Sequence, residues 1–64
     1  MERYQIYLLR CGMFDYWTGR CWDIRPYNAK CYGTSKAAEE AMPAALKKTR
    51  ELVSIVEGTL DVPK

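Results

Sequence analysis

The sequence predicts an α+β domain in which a small antiparallel sheet of two or three strands packs on one long, kinked C-terminal helix. Three observations predict it. Tyr4–Cys11 has the length and composition of a strand. Phe14–Trp17 and Arg20–Ile24 flank the turn-permissive pair Thr18-Gly19. The stretch after Ser35 then places apolar residues at helical spacing. At 64 residues this is a single domain, 1–64, with strands and hairpin over about 3–32, helix over about 35–57 and a frayed tail at 59–64.

Along the first strand, Tyr4, Ile6 and Leu8 fall on one face and Gln5, Tyr7, Leu9 and Cys11 on the other, because side chains alternate with a period of two. Both faces are therefore partly apolar. Gly12 breaks the run, Phe14–Trp17 is a second strand ending at Thr18-Gly19, and Arg20–Ile24 is a third extended piece or the far arm of the hairpin. Arg25 is held out of helical geometry by Pro26, so Pro26-Tyr27-Asn28 reads as a loop, and Ala29–Tyr32 as a short edge strand or one helical turn.

For the helix, a 100° projection gathers Ala38, Ala41, Met42, Ala45, Leu46, Thr49, Leu52, Val53 and Val56 on one side, with Lys36, Glu39, Glu40, Lys47, Arg50, Glu51 and Glu57 opposite. Ser35 is the expected N-cap and Gly58 the expected terminator. Pro43 removes one N–H bond and crowds the carbonyl of Glu39, so the alternatives are two short helices or one kinked helix. The apolar stripe keeps its phase across Pro43, which favours the kinked helix.

Ten basic residues against eight acidic give a net charge of +2, too little to draw in nucleic acid or anionic lipid by a global field. The halves differ more than the whole. Met1–Gly33 holds all eight aromatics, whereas the remainder holds none and balances its charges. The start Met1-Glu2-Arg3-Tyr4 has no apolar leader, and no apolar run approaches the roughly 20 residues that span a bilayer, so a cytoplasmic protein without a membrane partner is expected. Cys11, Cys21 and Cys31 make an odd count, which argues against a disulfide framework and favours buried free thiols. They lack the close Cys or His pairs of a zinc site, so neither metal nor cofactor is expected.

No enzyme is expected either. Histidine is absent, Ser35 and Ser54 have no base, and Asp15 and Asp23 form a carboxylate pair only if the hairpin joins them. The remaining signal is aromatic. Tyr7, Tyr16, Trp17 and Trp22, interleaved with Arg20 and Arg25, have the residue types of a protein-binding hot spot, and they are the expected binding residues on the hairpin and on the sheet face the helix leaves bare. The same residues suit base stacking and phosphate contact, which keeps a single-strand or duplex nucleic-acid module as the alternative. Packing those aromatics against a second copy, as a homodimer, is a further alternative. At least one of Trp17 and Trp22 is expected to be solvent-accessible. Lys47, Lys48 and Arg50 read as a solvated helix face.

The run Tyr16-Trp17-Thr18-Gly19-Arg20-Cys21-Trp22, followed by Ala29-Lys30-Cys31-Tyr32, Ser35, Ala38 and Ala41, resembles small phage and prophage accessory proteins built as a hairpin plus one helix. That class includes anti-CRISPR and other anti-defence inhibitors. The resemblance implies a stoichiometric inhibitor of a host protein, acting in the host cytoplasm, and implies no catalytic residue.

Overall fold

A computed structural model describes residues 2–63. Strand β1 (Glu2–Cys11) is followed by β2 (Asp15–Trp17), β3 (Trp22–Asp23), a 3-10 turn at Pro26–Asn28, helix α1 (Ser35–Leu46) and strand β4 (Val53–Val62). The four strands form one antiparallel sheet in the order β3-β2-β1-β4. β1 and β4 pair without interruption from Glu2↔Val62 to Cys11↔Val53. Tyr32 extends the other side of β1, exchanging backbone bonds of 2.8 Å with Tyr7.

This overturns the expectation of a long, kinked C-terminal helix. The helix stops at Leu46, and the sheet has four strands, not two or three. Leu52, Val53 and Val56 satisfy the helical stripe, but Val53, Ser54 and Ile55 also read apolar, polar, apolar with the period of a strand. The β-branched residues of this stretch favour a pleated strand, and β1 offers ten partners along one edge. Local periodicity loses to long-range pairing. The tail expected to fray is likewise strand as far as Val62, while Lys64 lies outside the described residues. Gly58 sits in mid-strand opposite Ile6 rather than at a helix end. The N-cap is Thr34, not Ser35, with Thr34 Oγ1 accepting from the Ala37 amide at 3.1 Å. Pro43 lies inside this single helix on its exposed side.

The register fixes which side chains share a face. Tyr7, Leu9 and Cys11 of β1, Trp17 of β2, Trp22 of β3 and Val53 and Ile55 of β4 all turn towards α1. Leu9, Trp17, Ala38 and Ala45 are the centre of the core, and the alanines let the helix backbone approach the indole of Trp17. Trp22 packs on Trp17 with ring centroids 5.3 Å apart, and its Nε1 donates to the carbonyl of Ala45 at 3.3 Å. One polar atom in the core is thereby satisfied. A 12-residue helix spans about 18 Å and a ten-residue strand about 34 Å, so α1 covers only half of the β1–β4 ribbon. The rest projects as a two-stranded arm, and the molecule measures 40 × 23 × 18 Å.

Candidate functional site

The end of β1, the start of β2, the exit of β3 and the start of β4 all lie at one end of the sheet, because neighbouring strands run antiparallel. Four large apolar side chains emerge there. Met13 and Phe14 lie in the β1–β2 turn, Ile24 follows β3, and Leu52 precedes β4; they are 69 to 84% exposed. The Gly12 amide donates to the Leu52 carbonyl at 3.3 Å, which ties the first turn to the last connection. Gly12 has φ +61°, a left-handed conformation that favours glycine at this junction; the Glu51 Oε2 that a Cβ would meet at 2.9 Å is the movable end of a side chain.

Asp23 braces the same end. Its carboxylate accepts from the Arg25 amide (2.9 Å), Arg25 Nε (3.0 Å), the second guanidinium nitrogen of Arg25 (2.9 Å) and Asn28 Nδ2 (3.1 Å). The Arg25 side chain, foremost among these donors, holds the Asp23 carboxyl well below the usual carboxylate range. This network shapes the 3-10 turn that presents Tyr27, which is also largely exposed.

The six expected binding residues do not form one patch. Trp17 is 3% exposed and belongs to the core. Trp22 is half-buried against it and is the more accessible indole. Tyr7 faces the helix, and Tyr16 faces the other way, opposite Arg10. Arg20 is exposed in the turn between β2 and β3, where Thr18 Oγ1 accepts from the amides of Arg20 (3.3 Å) and Cys21 (3.2 Å) and donates to the Cys21 carbonyl (3.1 Å). Only Arg25 reaches the apolar end of the sheet. Met13, Phe14, Ile24 and Leu52 were not among the expected residues. Met13 and Phe14 carried a signal, since bulky apolar residues placed directly after a turn glycine have no path to the core.

The face of the sheet away from α1 is bare. It carries Glu2, Tyr4, Ile6, Leu8 and Arg10 along β1, and Ser54, Val56, Leu60 and Val62 along β4. Tyr4, Leu60 and Val62 are exposed, while Ile6, Leu8 and Val56 are half-buried by one another. Arg10 Nε is shut off from solvent without a hydrogen-bond partner among the described residues. The Tyr4 hydroxyl donates to the Glu2 carboxylate at the far end, and that bond raises the tyrosine pKa.

Asp15 and Asp23 do not meet: Asp15 is paired with Cys11 on the helix side, and Asp23 with Tyr16 on the bare side. The expectation of buried thiols holds for Cys11 alone, since Cys21 and Cys31 are exposed, and all three are free. Burial foremost pushes the Cys11 thiol up, while its contact with Thr49 Oγ1 (3.1 Å) pulls it down. Among the described residues, no three His, Cys, Asp or Glu side chains are grouped to hold a metal ion, and no helix is long and apolar enough to cross a membrane. Comparison with known proteins adds no family to this geometry: no family model matches the chain, and no curated protein or solved structure matches it.

Proposed function

We propose that this chain is a small non-catalytic binding protein that engages and blocks another protein through the apolar end of its sheet. The observation that carries the reading is the convergence of Met13, Phe14, Ile24 and Leu52, highly exposed, beside Arg25 and Tyr27. Side chains of this size in water are costly to leave bare, and an aromatic–arginine mixture on loops braced by a sheet is the composition of an interface hot spot. The resemblance to phage accessory proteins favours a host protein as the partner, of the anti-defence kind, met in the host cytoplasm. A nucleic-acid partner is favoured less. Of the arginines, Arg3 is tied to Asp61 at 2.9 Å and Arg25 to Asp23, which reduces the charge available to phosphates.

The test uses the immobilised chain beside a Phe14→Ser/Leu52→Ser variant, in nuclease-treated and untreated host lysates. Both positions are exposed, so the variant should melt within about 0.5 kcal/mol of the parent. A protein retained by the parent, lost by the variant and indifferent to nuclease and salt is the expected result. Retention that vanishes with nuclease, or that the double variant keeps, overturns the reading.

A further inference from the structure

The bare face has a polarity that the apolar end does not share, and it points to a different occupant. Along β1 it runs acid, apolar, apolar, apolar, base: Glu2, Tyr4, Ile6, Leu8, Arg10. We propose that this face binds a second copy of the chain, sheet against sheet, with the two β1 strands antiparallel and Ile6 at the two-fold axis. In that arrangement Glu2 of each copy lies over Arg10 of the other and Tyr4 over Leu8. On β4, Val56 lies over Leu60, Ser54 over Val62, and Gly58 over itself.

The charges select this arrangement. A two-fold axis parallel to the strands would stack Arg10 on Arg10 and Glu2 on Glu2; an axis across the strands pairs opposite charges twice. Two-fold symmetry requires a surface complementary to itself, and a stripe with an acid at one end, a base at the other and only uncharged side chains between meets that requirement. Packed sheets keep their strands within about 30° of one another, which leaves the end-to-end pairing within reach of the long Arg10 side chain. The Arg10 Nε is shielded from water with no hydrogen-bond partner among the described residues, so a partner meets this guanidinium at its outer nitrogens. An incoming carboxylate accepts from those outer nitrogens, and Glu2 keeps accepting from Tyr4, since a carboxylate has about four lone-pair sites.

The area is sufficient for a modest dimer. The face is about 34 Å long and about 14 Å wide, roughly 1,000 Å² over both copies, which is the lower bound for a specific interface. The apolar end of the sheet, with Phe14 and Leu52, stays open in such a dimer. Each dimer then offers two such ends.

Sedimentation equilibrium of the parent from micromolar to millimolar concentration, with Glu2→Arg and Arg10→Glu measured alone and mixed, tests this. The parent should dimerise. Each variant alone faces like charges at both contacts and should dissociate about tenfold more readily or worse. An equimolar mixture should recover the parent's association. In the mixed dimer the arginine introduced at position 2 faces the glutamate introduced at position 10, and the unaltered Glu2 and Arg10 face each other. Circular dichroism verifies that each variant is folded. Should either variant fail to fold, Ile6→Cys in a Cys21→Ser/Cys31→Ser background replaces it, with a short bis-maleimide expected to join two copies through position 6, because packed sheets lie about 10 Å apart. A parent that stays monomeric at millimolar concentration overturns the proposal. So does a dimer indifferent to the charges and not rescued by mixing, or an Ile6→Cys variant that does not cross-link in an associated sample.

Discussion

The two halves of β1 carry similar residues in different surroundings. Tyr7–Cys11 lies under α1 with β2 on one side and β4 on the other; Glu2–Ile6 has β4 alone. Leu9 is accordingly 0% exposed and Tyr4 49%. The difference is not one of strand propensity, since both halves hold tyrosine and large aliphatic side chains. It lies in what each half is given to touch. In the covered half, burial stabilises the fold; in the arm, the same kinds of side chain are left for an external surface.

The largest effect should come from the covered half. Trp17→Ala removes the largest side chain at the core centre, where α1 cannot collapse onto the vacancy without moving Ala38 and Ala45, and should cost about 3 to 5 kcal/mol in a urea melt. A loss below about 1 kcal/mol would erase the distinction between the halves. Next, truncating a leucine in each half compares them directly. Leu9→Ala should cost about 2 to 5 kcal/mol and Leu60→Ala less than about 1, measured at a concentration where the chain is monomeric. Equal losses would mean that the arm has a core of its own.

Thr34→Ala tests the cover itself. Losing the bond to the Ala37 amide should cost about 1 kcal/mol, and amide exchange should quicken in α1 and Tyr7–Cys11 more than in Glu2–Ile6. On the arm, Asp61→Asn should change stability by about 0.5 kcal/mol or less, because the Arg3–Asp61 pair is 73 and 44% exposed and water screens it. The cysteines sharpen the comparison without a free-energy difference. Alkylation near neutral pH should modify Cys21 and Cys31 promptly and Cys11 slowly, since Cys11 is both buried and held as the thiol. Its raised pKa also carries a sign. The contribution of Cys11 to stability is fully present below the unfolded thiol pKa and is lost as pH rises from there through the folded value. Three thiols reacting at one rate would place Cys11 outside the covered half.

The contrast between the two faces was legible in the first strand. Alternation alone put Tyr7, Leu9 and Cys11 on one face and Tyr4, Ile6 and Leu8 on the other, and one helix covers one face. Ala38, Ala41, Met42 and Ala45 were legible as the inner side of α1 for the same reason. The segment beyond Leu46 was not. Leu52, Val53 and Val56 fit a helical stripe as well as a strand, and the arbiter, ten pairs with residues at the other end of the chain, is invisible to any local window. The candidate site split along the same line. Trp17 and Trp22 have hot-spot composition, but a domain this small requires its largest rings for the core, and so the exposed surface falls to Met13, Phe14, Ile24 and Leu52.

The pairing of β1 with β4 also dictates an order of events. Its register joins Glu2 to Val62 and Cys11 to Val53, contacts that close loops of 42 to 60 residues. Such closures are entropically late, and they slow folding relative to a chain whose contacts are local. The first strand therefore waits. Until β4 arrives, its edge offers unpaired amides and carbonyls beside Ile6, Leu8 and Leu9, and a neighbouring chain can occupy that edge as readily as the chain's own last segment. Crowded synthesis of many copies thus sets intramolecular closure in competition with exchange of β4 between molecules, and dilution favours the closed form.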